Sequence, residues 1–501
     1  MNKQKKFYFL KIRDFFCSHF IYCFILIQYG CSTPHIQDDE RVVKISLTKT
    51  SNETLTISAF EVGDWPQENW WEMFDDPQLG HLIEQAMQDN PTLHKVEAKV
   101  KTALAFVQKE RSAFFPDIGA TAETNWQYLG KNSFFRSFAP TVPSTLNQID
   151  LFLNFNYEFD FWGRNLNLYR TALNQARAEE AEYNQTKLIL SSAIAQAYFN
   201  LQRNLQKLDI LKQIHSLRTT LFELMALRSK FALDNDIPKI DSQKNELDVT
   251  VLIKQREQDV ALSIHLLQIL IGQEPDASLH LKRPSSTFNK AFPIPQQIGL
   301  DLIARRPDLM AQIWRVEAAA HKIGVAKADF FPNVNLSVLG GLESLQFNTL
   351  FSAGSKIASF FPAIHLPIFT GGRLTANLRT KEAEYDQAVY EYNEMLLQAA
   401  RQIVDEITII KFTDSQLDIQ NSTLNALEMQ HKLVISRFNQ GLDNYLMVLR
   451  NQETVLNQKM NIIELRYERL LSRLKLIKAL GGGYFSSAPI AEQVANQREG
   501  G

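Results

Sequence analysis

Between Asp150 and Trp162 the chain reads DLFLNFNYEFDFW, and apolar and polar side chains alternate along it. Leu151, Leu153, Phe155, Tyr157, Phe159 and Phe161 fall on one parity, and Asp150, Asn154, Asn156, Glu158 and Asp160 on the other, with Phe152 the exception. A period of two predicts a strand with one aromatic face and one face of carboxylates and amides. Asp117 to Tyr128, Asn333 to Leu342 and Ser359 to Phe369 carry noisier versions of the same pattern. Two hairpins result, with strands about ten residues long, the length a tilted strand needs to cross a bilayer. Two hairpins alone would leave open sheet edges in hydrocarbon. Neighbouring subunits must therefore close the four strands into a barrel.

Elsewhere the period lengthens. Arg164 to Ile237 is a run of 74 residues without glycine or proline, and Arg373 to Gln440 is another of 68. At about 1.5 Å per residue, either run predicts a helix on the order of 100 Å long. Leu201, Leu205, Leu208, Leu211, Ile214, Leu217, Leu221, Leu224, Leu227 and Phe231 recur at three and four, the seam of side-by-side, coiled-coil-like helices. A second rod is expected after each, Lys239 to Ile271 and Leu442 to Leu480, ending at Gly272 and Gly481.

The long runs are also related in sequence. Gly163/Gly372, Arg164/Arg373, Arg228/Arg437, Leu233/Leu442, Asp234/Asp443, Asn235/Asn444 and Gly272/Gly481 all stand 209 residues apart. Upstream, Pro91/Pro307, Val100/Val316, Phe114/Phe330, Phe115/Phe331 and Pro116/Pro332 stand 216 apart, so the first copy is longer between Pro116 and Gly163. The pattern is an internal two-fold repeat of helix, strand pair, long helix, turn and helix. Gly163 and Gly372 are expected where a strand bends into a rod, and Pro116 and Pro332 at the opposite change from helix to strand.

Composition narrows the class. The 501 residues are 45% apolar and 22% charged with a net charge of −2, which leaves no basic footprint for nucleic acid. The three cysteines, Cys17, Cys23 and Cys31, fall within the first 31 residues, so no disulfide framework or thiolate site is available downstream. Residues 1–30 read as a signal peptide, with Lys3, Lys5 and Lys6 before the apolar run Phe15 to Ile27. Gly30 before Cys31 resembles a lipoprotein signal in which Cys31 becomes the lipidated first residue; an ordinary signal peptide with an incidental cysteine is the alternative. Residues 31–64 are expected to form a polar tether or equatorial strap, 65–282 the first repeat, 283–300 a linker, 301–484 the second repeat and 485–501 a disordered tail. The ten histidines are scattered, and no HExxH, GxSxG or phosphate-cradling Gly-Lys loop occurs. His321 and His365 are expected to be packing or lumen residues, RRPD to start a helix and LGGG to end one. No enzyme, cofactor or metal is expected.

Several stretches together resemble the TolC-like outer-membrane efflux proteins. They are WWEMFDDPQLGHLIEQAMQDNPTL (Trp70 to Leu93), FWGR, the RRPD-to-FFP stretch within Leu302 to Ser337, RFNQGLDNYLMVL (Arg437 to Leu449) and the closing ALGGGY (Ala479 to Tyr484). The resemblance is to the lipoprotein branch that serves resistance-nodulation-division pumps. It implies an α+β membrane protein: a homotrimer whose four strands per protomer make a twelve-stranded transmembrane β-barrel, prolonged by a long antiparallel α-helical barrel across the periplasm. It further implies a lipid-anchored, passive exit duct partnered by a periplasmic adaptor and an inner-membrane pump. The implied adaptor-docking tips are Arg228, Ala232 and Leu233, and Arg437, Gly441 and Leu442; Ala232 replaces the usual glycine, for a tighter turn or a weaker groove. The implied periplasmic gate comprises Arg437, Phe438, Leu446 and Arg450, with Arg450 where relatives commonly carry an acid and Asp241 as its expected counter-charge. The exit duct of a one-step protein secretion system and a pore-less coiled-coil envelope protein are the alternatives.

Overall fold

The computed structural model describes residues 39–43, 54, 60–139, 141–279, 281–287, 291–295 and 305–484. Cys31, the expected signal peptide, most of the expected tether and the tail 485–501 lie outside the described residues. The elements are β1 (Phe60–Val62), a 3-10 turn (Trp70–Phe74), α1 (Pro77–Asp89), α2 (Pro91–Ser112), β2 (Asp117–Tyr128), the short α3 (Phe134–Phe138), β3 (Thr145–Phe159), α4 (Arg164–Lys230) and α5 (Ile237–Leu270). The order then recurs: β4 (Phe292–Ile294), α6 (Pro307–Ala328), β5 (Asn333–Ser344), two short 3-10 turns, β6 (Lys356–His365), α7 (Arg373–Asn439) and α8 (Tyr445–Ala479). Both long helices have 67 residues. The extra length of the first copy falls in the hairpin connection 129–144, which holds α3, and in the longer strand β3.

The chain divides into two compact units, and neither is a sequential half. One collects the described residues up to Val42 with Lys101–Ala178 and Gln312–Glu391; the other collects Val43–Val100, Glu179–Ala311 and the chain from Tyr392 onward. Each therefore draws on both halves of the sequence.

The first unit holds the antiparallel sheet, in the order β2-β3-β5-β6. Below it, α2 meets α4 through Val107, Ala172 and Ala176. Where α6 crosses α4, Gly324 leaves so little room that a Cβ would stand 2.7 Å from the Asn167 side chain. Asn167 Oδ1 accepts from His321 Nδ1 at 3.0 Å, which makes the buried His321 a packing residue. The strand ends differ from the sequence expectation for a local reason. β3 stops at Phe159 because Asp160 turns to accept from Leu166 N (2.8 Å) at the start of α4, and Trp162 stacks on Phe331 (4.7 Å between ring centres) while donating to Pro332 O (2.8 Å). Those bonds hold residues 160–163 out of the ladder. β6 likewise ends at His365, before the exposed Leu366, Ile368 and Phe369.

In the second unit, β1 and β4 form a parallel pair with Phe60 opposite Phe292. Asp76 caps α1, accepting from Gln78 N and Leu79 N, with Pro77 at the first helical position. The RRPD stretch does more than begin a helix. Arg306, 7% exposed, makes a two-pronged bond to Asp308 (3.0 and 2.6 Å) and donates to Gln402 Oε1 and Ala479 O, both at 3.1 Å. It thereby satisfies a carbonyl at the end of the last helix. Glycine is required immediately after, because a Cβ on Gly481 (φ +96°) would stand 1.8 Å from Arg305 O. Among the described residues no helix is long and apolar enough to cross a membrane, and no cluster of metal-ligating side chains occurs.

Replacing Arg306 by Ala strands the half-buried Asp308 and the end of α8. Arg306→Ala is expected to cost about 3 kcal/mol, read as a lowered unfolding midpoint, whereas Arg305→Ala at the neighbouring position leaves those bonds in place.

Candidate functional site

The sheet has two chemically distinct faces, fixed by its register. Ile118, Ala120 and Ala122 of β2 stand opposite Phe155, Leu153 and Leu151 of β3; these oppose Val338, Gly340 and Leu342 of β5, and Val338 opposes Phe360 of β6. Trp126 and Tyr128 extend this apolar face at one end and Tyr157 and Phe159 at the other. The opposite face carries Asp117, Thr121, Glu123 and Asn125 of β2, Asp150, Asn154, Asn156 and Glu158 of β3, and Asn333, Asn335, Ser337 and Glu343 of β5. These side chains bond across strands: Asn154 to Thr121 (2.8 Å), Ser337 to Asn156 (2.8 Å) and Asn333 to Glu158 (2.9 Å). Phe152, the exception in the alternation, lies on this polar face, as does Phe361. His365 ends it, opposite Asn333.

The apolar face is uncovered. Ile118, Trp126 and Ile364 are each about two-thirds exposed or more (66, 67 and 72%). A twelve-residue strand rises about 40 Å, so a tilt near 40° spans about 30 Å, the thickness of a hydrocarbon layer. The outer edges are open as well. Among the described residues β2 pairs only with β3, and β6 only with β5. Roughly half of the backbone N–H and C=O groups on each edge strand thus face outward, at a cost of several kcal/mol each if left bare in lipid.

The joints between strands and helices hold the expected residues. Gly163 (φ +71°), Gly371 (φ +60°) and Gly372 (φ +85°) adopt the left-handed backbone just before α4 and α7. Pro116 and Pro332 immediately precede β2 and β5.

The two helical turns are closed in the same way. Leu233 N donates to Arg228 O at 2.9 Å and Leu442 N to Arg437 O at 2.9 Å, the six-to-one bond of a Schellman stop. The residue before each is left-handed: Ala232 at φ +53° and Gly441 at φ +74°. Ala232 therefore does not tighten its turn; it holds the glycine conformation at a steric cost. This also explains why α4 ends at Lys230, seven residues short of the end of the glycine- and proline-free run at Ile237. Each arginine reaches across its turn, Arg228 Nε to Asp234 (2.5 Å) and Arg437 Nε to Asp443 (2.6 Å). Hydrogen bonding to the arginines holds both carboxyls below the usual carboxylate range. Asn444 then caps α8 by accepting from Met447 N, and Asn235 accepts from Ile237 N. Asp234, Asp443, Asn235 and Asn444 were not among the expected site residues, although their repetition at one offset marked them.

Of the expected gate residues, Arg437 is committed to Asp443 within its own turn, and Phe438 packs on Tyr445 (5.4 Å). Leu446 is half-buried. Arg450 is exposed and makes no ion pair with a described residue, while Asp241 accepts from Asn245. The protomer itself does not bring Asp241 and Arg450 into a pair.

The chain thus combines an amphipathic antiparallel sheet with open edges and two 67-residue helices. The chain belongs to the outer membrane efflux protein family, whose model matches residues 82–230 and 300–482. It is 27% identical over 439 residues to the multidrug resistance outer membrane protein MdtP of Escherichia coli K12, covering 86% of this chain and 89% of that one. It is 27% identical over 475 residues to the probable outer membrane lipoprotein SilC of Salmonella typhimurium, covering 92% and 97%. The crystal structure of the outer membrane protein VceC of Vibrio cholerae is similar at a TM-score of 0.76 and 31% identity, covering 84% of this chain and all of that one. The protein is thus an outer-membrane efflux channel, and not an enzyme.

Ala232 gives the tips a measurable asymmetry. Ala232→Gly is expected to stabilise the first turn by about 1 kcal/mol, slowing amide exchange there about fivefold, and Gly441→Ala to loosen the second by a similar factor.

Proposed function

We propose that the protein is the passive exit duct of a tripartite efflux system. Three protomers close their sheets into a twelve-stranded barrel, and the paired long helices continue it as a helical barrel across the periplasm. The observation that carries this reading is the four-stranded sheet with an uncovered apolar face, a hydrogen-bonded polar face and two open edges. Joining β2 of one protomer to β6 of the next satisfies both edges at once. The apolar face then meets lipid and the polar face lines water. The duplicated element order supplies both hairpins and both helix pairs of each protomer.

The tips at Arg228–Leu233 and Arg437–Leu442 are the docking points for a periplasmic adaptor, which links the duct to an inner-membrane resistance-nodulation-division pump. The support is their shared, pre-formed turn and the exposed Phe231, Leu233 and Leu442 at both apices. Arg450 with Leu446 forms the constriction behind the second tip. Cys31 carries the lipid anchor. Asp39 accepts from Tyr385 (3.0 Å) and Arg41 donates to Asp386 (2.5 Å), pinning the chain to α7 thirteen residues below its start, about 20 Å along the helix. The eight residues back to Cys31 can span at most about 28 Å, enough to regain the level of the sheet. The cargo follows the partner pump, since a passive duct selects weakly.

The faces can be tested against each other. Leu153→Arg places a charge in lipid at about 2–4 kcal/mol and is expected to abolish membrane insertion. Asn154→Arg, one residue on, faces water and retains it. Purified wild-type protein is expected to run as a trimer and to conduct in planar bilayers, and a non-conducting monomer contradicts the reading. Arg450→Asp is expected to move the current toward cations; an unchanged reversal potential removes Arg450 from the constriction.

A further inference from the structure

A cavity of about 400 Å³ opens within the second unit, between α4, α7, α8 and the segment at Ser286 and Thr287. Its wall carries three arginines, Arg203, Arg466 and Arg469, and no carboxylate. The carboxylates behind that wall are shared. Glu464 serves both Arg203 (3.1 Å) and Lys207, and Asp414 serves both Arg469 (3.7 Å) and Arg473 (3.5 Å). Arg466 makes no ion pair with a described residue. Burial pushes the neighbouring Arg473 guanidinium down to about 10, against the raising effect of Asp414 and with a smaller lowering by Arg469.

The wall also presents unfilled hydrogen-bonding capacity. Gln202 is 9% exposed; its amide nitrogen donates to Ser286 O (3.0 Å), but its Oε1 is buried without a partner. Arg203 Nε and Arg469 Nε are likewise buried and unpartnered. Arg203 is held in place by stacking on Tyr467, 4.3 Å from its ring centre. Free donors on cations, together with one free acceptor, match an oxyanion that retains a hydroxyl.

We infer that this cavity is a binding site for a hydroxyl-bearing oxyanion of the phosphate class, taken by Arg203, Arg466 and Arg469 with Gln202 Oε1 accepting its O–H. The volume has room for more than inorganic phosphate, so a phosphorylated sugar fits the same chemistry. The site lies within one protomer and stands whether or not the duct is tripartite.

The test uses the full-length protein in detergent, titrated with sodium phosphate, sodium sulfate or sodium chloride at pH 7 and matched ionic strength. Binding is followed calorimetrically and by the unfolding temperature. Phosphate is expected to bind saturably and to raise the unfolding temperature above the chloride value. Sulfate, which has no hydroxyl at this pH, is expected to bind at least fivefold more weakly. Arg466→Gln, an exposed position, is expected to weaken phosphate at least tenfold; should that variant misassemble, Arg466→Lys retains the charge, loses the planar fork and is expected to weaken it threefold or more. Phosphate behaving as chloride does, sulfate binding as tightly as phosphate, or unchanged affinity in the assembled variant overturns the inference. The first of these is also what a neighbouring protomer's carboxylate filling the cavity would produce.

Discussion

A backbone amide in hydrocarbon has no water to bond, and this constraint organises the molecule. β2 and β6 each turn a row of N–H and C=O groups outward with no strand partner among the described residues. Leaving even a few bare would cost more than a whole domain's net stability of about 5–15 kcal/mol. On the proposed reading these edges pair between identical copies, and a ring is the closed solution. The alternation of side chains fits the same proposal, because a strand in a barrel wall would have lipid on one side and water on the other.

The junctions show how a sheet is joined to helices of a different period. Gly163, Gly371 and Gly372 supply left-handed backbone at the bend. Around the first joint, Trp162 stacks on Phe331, Asp160 accepts from the new helix and Arg164 bonds to Asp329 at 3.1 Å. The bend is thus held by side chains from both copies. At the other end of the long helices, Arg228 with Asp234 and Arg437 with Asp443 close equivalent turns. The pairs are exposed and contribute shape more than stability.

The strands were legible because burial on two unlike faces writes a period of two into the sequence, and the rods because glycine and proline are absent from them. The offsets of 209 and 216 made the duplicated order visible. Less was legible where a contact comes from far away. Glycine and proline alone could not reveal that Ala232 would adopt a glycine's backbone and end α4 at Lys230. The Trp162 and Asp160 bonds that shorten β3 join residues distant in sequence or outside the alternation. Arg306 read as part of a helix start, yet its bond to Ala479 O is with a segment 173 residues on. The compact units, each built from both copies, carry no signature in composition. Asp241 and Arg450 looked like a charge pair by position, but pairing depends on side-chain direction, and Asp241 bonds Asn245 instead.

The most direct measurement is cross-linking of the open edges. The natural cysteines all fall within residues 1–31, so a panel of single cysteines along β2, combined with a panel along β6 in a background that keeps Cys31 for its lipid, reports only contacts of the new thiols. The account predicts that matched β2/β6 pairs oxidise to covalent dimers and trimers in the membrane, while either panel alone does not. Protomers that stay monomeric for every combination would contradict it.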